Sequence, residues 1–315
     1  MTQEKVAAVE PEAPMRQAQT SRPHRRSGLG RILAWVVMVL LLIITLFPFY
    51  WILRTALSSN SALYANAASL LPVEFTWSGF ARVFGMQSVE EAIADGGSGA
   101  HMDFWLYLRN SVIVATAVTV CQVFFSAMAA YAFSRLRWPG RDFVFGLFLL
   151  SLMVPLIFTL LPNFLLIRDL GLIDTLLGIM LPGLFMTPFV IFFLRQFFMN
   201  VAIEVEEAAF IDGASKVRVF FTLIIPMTVA PIATVSILTY ITAWNDYFWP
   251  LMVSYTDESR VLTVALATFN AQTPQTGPDW SGLMAATLVA ALPMLVLFMF
   301  FAKRIVNSIG FTGIK

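Results

Sequence analysis

Apolar residues fall along this chain in long runs, not at the spaced positions of a helix that wets one face. Between consecutive charged residues, six windows are long and apolar enough to form a spanning helix of about 20 residues. They are Ile32–Leu53, Asn110–Ser134, Phe143–Ile167, Thr175–Leu194, Val219–Asn245 and Trp280–Ala302. Two more uncharged windows read as loops: Thr55–Val73 is full of Ser and Asn, and Val261–Pro278 ends in NAQTPQTGP. Prolines at 48, 155, 162, 182, 188 and 293 lie inside the spans and predict kinks or breaks of the kind that line a cavity. Ser126, Ala130 and Ser134 recur at helical spacing and would let a neighbouring helix approach closely, although small residues scattered by chance give the same pattern. The pattern predicts an all-α integral membrane bundle with six transmembrane helices over residues 31–315. Before it, residues 1–30 form a polar tail with no apolar period, read as disordered.

Composition agrees, with 58% of the 315 residues hydrophobic and only 12% charged. A soluble domain carries about 45–50% apolar residues and about 25% charged. The net charge of +1 points to no nucleic-acid partner, and the distribution of charge says more. Fifteen of the twenty Lys and Arg lie in the two ends and the even-numbered connections, which the positive-inside rule makes cytoplasmic. Both termini are therefore expected in the cytoplasm. Arg25-Arg26 ahead of an apolar run resembles a twin-arginine export signal. The run is nevertheless long enough to span and ends in no small-residue cleavage pattern, so a retained first helix is expected. The single Cys121 excludes a disulfide framework, and His24 and His101 assemble neither a triad nor a metal site.

The fourth connection, RQFFMNVAIEVEEAAFIDGASKVRVFFTLIIP, carries the most chemistry. Glu204, Glu206, Glu207 and Asp212 precede Lys216 and Arg218, an order that suits a helix dipole. Ala208 and Ala209 keep one helix surface shallow, and Gly213 permits a sharp change of direction. Chemistry alone fits either a docking knob or a solvated amphipathic loop. The stretch EEAAFIDGASKVRVFFTLIIP is similar to the EAA loop of ATP-binding-cassette importer permeases: Glu207, Ala208, Ala209, Asp212, Gly213 and Pro226 fall on that motif. The resemblance implies a type I importer fold whose coupling helix docks on a separate ATPase. Ala202 departs from it, standing where many relatives have proline.

The fifth window runs into TAWNDYFWPLMV, where Asn245 and Asp246 sit among Trp244, Tyr247, Phe248 and Trp249. Aromatic faces with Asn and Asp beside them suit a carbohydrate path. An interfacial aromatic belt with an acid at a helix end is the other reading. WNDYFWPL, AYAFSRLRWPGR, GLIDTLLGIMLP and AKRIVNSIGFTGIK together resemble the maltose-type, MalG-like carbohydrate uptake permeases, from about Arg31 to Lys315. This implies a di- or oligosaccharide cargo, a second permease subunit, two ATPase subunits holding ATP and Mg, and an extracytoplasmic solute-binding protein. It also implies that the C-terminal segment with Gly310, Gly313 and Lys315 reaches the ATPase, and that the other permease makes most sugar contacts. The chain itself has no G-x-x-x-x-G-K-[ST] loop and is expected to hold no cofactor and catalyse nothing. A permease for another solute, such as a glycerophosphodiester or polyamine, is the main rival. An ion-coupled transporter would place acids or histidines within its spans, which here are nearly free of both.

Overall fold

The computed structural model describes residues 28–97, 102–271 and 278–310. Sixteen α-helices are found among them, with an isolated Ser58–Phe75 bridge as the sole β pairing there. The chain divides into two units, residues 1–49 and 50–315. Helix α1 (Gly28–Ala56) is continuous despite Pro48, and Thr45 returns its hydroxyl to the Leu41 carbonyl at 2.7 Å.

Three short helices follow: α2 (Asn60–Ala65), α3 (Ser78–Val83) and α4 (Val89–Ala94). The window Thr55–Val73 is thus part helix. Residues 90–97, EEAIADGG, begin within α4, which is started by a reciprocal cap in which Ser88 accepts from Glu91 N–H and Glu91 accepts from Ser88 N–H. This segment is tied to the start of the last helix. Arg82 lies 2.8 Å from Asp279 with both side chains almost fully buried, and it donates to Ser281 at 2.6 Å.

The long α5 (Phe104–Arg135) is the axis of the second unit. Asp103 caps it by accepting from Leu106 N–H at 3.1 Å. It is followed by α6 (Arg141–Ser151), α7 (Ile157–Asp169), α8 (Leu176–Met180) and α9 (Pro188–Met199). Next come α10 (Ile203–Ile211), α11 (Lys216–Val219), α12 (Ile225–Met227) and α13 (Val229–Trp244). The chain closes with α14 (Phe248–Val253), α15 (Leu262–Ala271) and α16 (Trp280–Gly310). Helix α5 packs most extensively against α9 and α13. Ser126 and Ala130 have no exposed surface there, and Ser126 accepts from Thr187 N–H at 3.1 Å, so the small-residue stripe is a site of close approach. At the other end, Asn110 donates to the Glu258 and Arg260 carbonyls at 2.8 and 2.9 Å. Asp174 accepts from Tyr255 N–H, Thr256 N–H and the Ser259 hydroxyl, holding two connections together.

The six windows do not become six continuous helices. Among the described residues, α1, α5 and α16 are each long and apolar enough to cross a membrane. Two further windows are bent pairs, broken by 47° between Gly183 and Pro188 and by 81° at Thr228, which raises the total to five. The window Phe143–Ile167 is α6 and α7, separated at Leu152–Leu156 around Pro155. A proline lies at or beside each break, where it lacks an N–H and crowds the preceding turn. Pro162 and Pro293 sit within helices that continue. The window Val261–Pro278, expected as loop, instead begins as α15, packed on α5 and α16. Its alternating Leu262, Ala265 and Phe269 are buried at helical spacing, a pattern masked in the sequence by the polar NAQTPQTGP that follows.

Candidate functional site

Helix α10 is short and begins with acids, Glu204 and Glu206 in its first turn. Its end follows from local chemistry. Gly213 takes a left-handed φ of 83°, its N–H meets the Phe210 carbonyl at 3.0 Å, and Ala214 N–H meets that of Ala209 at 2.9 Å. This double closure is a Schellman motif, which a residue with a Cβ would strain. Ser215 then caps α11 by accepting from Arg218 N–H at 3.2 Å. Ala202, the departure from the EAA pattern, has φ −59°, the value a proline would impose, so α10 begins with that geometry anyway.

The faces of α10 divide the motif. Glu207, Ala208 and Asp212 are exposed, as are Ile203, Phe210 and, at 86%, Ile211. Ala209 is half-buried against the core that holds Phe198 and Val219. Glu206 is only 4% exposed and turns inward to the end of α5, where its Oε1 lies 3.0 Å from Arg135 Nε. Burial pushes the Glu206 carboxyl above the usual carboxylate range, while Arg135 pulls it back. Beyond α11 the winding widens to a π-helix over Phe220–Ile224, then Pro226 within α12 leads to the 81° bend. An exposed helix mixing acids and large apolar groups, on a bent connection into a span, can dock on a partner and relay its motion.

A second feature lies along the opposite half of α5. A cavity of about 910 Å³ is lined by α5, α7, α8, α9, α13 and α14 and their connections, and is open on one side. Its polar lining includes Gln122, Asn163, Thr187, Thr242, Asn245 and Asp246, with Gln122 donating to Thr187 at 2.9 Å. Asp246 is the one charged residue in the lining, and no Lys, Arg or His contributes. Of the aromatic cluster, Trp244 and Trp249 reach the wall but are spent mainly on packing. Trp244 stacks on Tyr240, and the Trp249 indole donates to the Ile179 carbonyl at 3.0 Å. Tyr247 is not part of the lining and meets Phe248 edge-on. The structure therefore joins Trp244, Asn245, Asp246 and Trp249 to the cavity and leaves Tyr247 out. Gln122, Asn163 and Thr187 carry no joint signal in the sequence, where they fall in three separate apolar windows among other scattered Ser, Thr and Asn. Gly310 ends α16, while Gly313, Lys315 and His101 lie outside the described residues. No group of His, Cys, Asp and Glu among the described residues is placed to hold a metal ion.

A helical bundle with spanning helices, a polar-lined cavity and an acidic helix held out on a bent connection defines the membrane permease class. Residues 122–310 match the model of the binding-protein-dependent transport system inner membrane component, and the chain belongs to that family. It is 30% identical to the probable ABC transporter permease protein YurM of Bacillus subtilis, over 93% of this chain and 92% of that one. It is 28% identical to the arabinooligosaccharides transport system permease protein AraQ of Halalkalibacterium halodurans, covering 90% and 97%. With the sn-glycerol-3-phosphate transport system permease protein UgpE of Yersinia pestis it shares 29%, covering 91% and 98%. Its fold is similar to a chain in the crystal structure of a bacterial ABC transporter that imports the acidic polysaccharide alginate (TM-score 0.73, 23% identity, 90% and 99% covered). The chain is an inner-membrane permease subunit of an ABC importer.

Proposed function

We propose that this subunit carries a neutral sugar, a di- or oligosaccharide, across the inner membrane by alternating access. Support comes from the cavity lining, which offers hydroxyls, amides and one carboxylate but no cation. Sugar hydroxyls are satisfied by such groups, whereas this subunit's share of the lining offers a phosphate or uronate no counter-charge. In this reading both termini and α10 face the cytoplasm. Glu207, Ala208, Ala209, Asp212, Gly213 and Pro226 build the coupling element that meets a separate ATPase. Two such ATPase subunits bind ATP and Mg and hydrolyse the nucleotide, a second permease completes the cavity, and an extracytoplasmic binding protein delivers the sugar. The segment with Gly310, Gly313 and Lys315 adds a further ATPase contact.

ATP closes the ATPase pair, α10 moves with it, and the cavity opens outward; hydrolysis resets it. The solitary Asp246 favours a second reading, a cationic solute such as a polyamine. Uptake into vesicles holding the full complex, offered labelled neutral disaccharides, glycerol 3-phosphate, an oligouronate and spermidine, separates these. Disaccharide uptake that depends on the binding protein and ATP is expected. Uptake of an anion alone overturns the proposal.

A further inference from the structure

Two neighbouring acids on α10 face different ways, and one of them is buried against an arginine at the end of the longest helix in the second unit. Successive helical residues lie about 100° apart, so Glu207 cannot share the direction of Glu206. Glu206 reaches Arg135 at 3.0 Å, with 5% and 9% of the two side chains exposed. Arg135 has further tasks: its Nε donates to the Phe198 carbonyl at 3.1 Å, and its Nη2 donates to the carbonyls of Phe198 and Val201. Those carbonyls belong to the last turn of α9 and the link into α10. One guanidinium therefore holds the end of α9, the link and α10 at a single point on α5.

Helix α5 runs unbroken for 32 residues from that point. Its Ser111, Val114, Val118 and Gln122 form one wall of the cavity. A buried ion pair is costly to desolvate, and apolar residues of the same volume often stabilise as well or better. What the pair adds is a tether, because drawing α10 away from α5 would leave a buried carboxylate without its counter-charge.

We propose that Arg135 and Glu206 are positioning residues that make α10 and α5 move as one body, so that motion of the docking helix is delivered to the cavity wall. The role rests on the importer reading above. It is distinct from docking, since Glu206 is hidden from any partner of α10.

In the full complex with binding protein, ATPases and the saccharide identified by the uptake panel, Glu206→Gln should lower sugar imported per ATP hydrolysed by about fivefold or more, the lower end of coupling between sites. Glu206→Asp, which keeps the charge, should recover most of the ratio. An unchanged ratio in Glu206→Gln overturns the proposal. Spin labels at the exposed Val205 of α10 and Val120 of α5 test the same point with the native pair in place. One distance, shared by the nucleotide-free and ATP-bound complexes, is expected. A distance that changes with ATP overturns the proposal, whether or not Glu206→Gln assembles. If the complex imports no saccharide at all, the sugar reading fails, while the spin distance still decides the role of the pair.

Discussion

The docking helix and the cavity are built in opposite ways. Helix α10 and its flanks are one contiguous stretch, ended by a Schellman turn at Gly213 and set by local hydrogen bonds. The cavity draws Gln122, Asn163, Thr187 and Asn245 from four separate helical segments and exists only once α5, α7, α9 and α13 are packed. The turn that ends α10 is intolerant of changes in its own few residues, and only the direction of the helix depends on a distant one, Arg135. The dispersed cavity spreads its tolerance over many positions.

The comparison breaks most easily at Glu207. Glu207→Lys reverses an exposed charge on the docking face, so the chain should insert normally while sugar-stimulated ATP hydrolysis in the assembled complex is abolished. Stimulation that persists would remove α10 from the coupling role. Next, Gly213→Val forces a branched side chain into a left-handed turn that costs about 1–2 kcal/mol for a residue with a Cβ. Nothing lies within 4 Å of the new Cβ, so the penalty is backbone strain alone. Reduced transport with a modestly lower Tm is expected, with Gly213→Asn milder in both.

On the cavity side, Trp249→Phe leaves the buried Ile179 carbonyl without its indole donor. An unmade buried hydrogen bond costs about 1–3 kcal/mol, readable as a lower Tm in detergent. Asp246→Asn sharpens the question of cargo: disaccharide uptake should change little, while any spermidine uptake should fall by roughly tenfold, the equivalent of about 1.4 kcal/mol.

The smallest effect concerns pH. Burial would raise the Asp174 carboxyl, but bonds from Ser259, Thr256 and Tyr255 outweigh it and hold the group down at about 2. A depressed carboxylate contributes stability above its unfolded value near 3.8, and that contribution is lost as pH falls toward about 2. Thermal unfolding from pH 5 to 2 should therefore show a shallower acid loss in Asp174→Asn than in the parent.

The same contrast governs what was legible in the sequence. The α10 segment could be read because its residues are neighbours and its signals, acids before bases and Gly after an Ala pair, are local. The inward turn of Glu206 is not legible there, because four acids within nine residues look alike until a partner is known. Arg135 counted only as one more positive charge. The helical bundle followed from the length of the apolar runs, but the breaks did not follow from proline alone. Pro48 and Pro293 sit in continuous helices, while Pro155 lies at a break. Tyr247 was drawn into the cargo path by its company, yet a residue's place on a turn, which composition does not reveal, settles whether it reaches the cavity.

The wide turn at Phe220–Ile224 makes spacing itself a mechanical dimension. Its hydrogen bonds skip one residue more than an ordinary turn, so the strand of chain between Gly213 and Pro226 carries a surplus link. Removing that link would restore regular winding and twist everything ahead of it by about 100°, swinging the acid off its arginine. The interval in the motif is thus a phase angle, and an insertion or deletion there would mistime the machine even with every named residue intact.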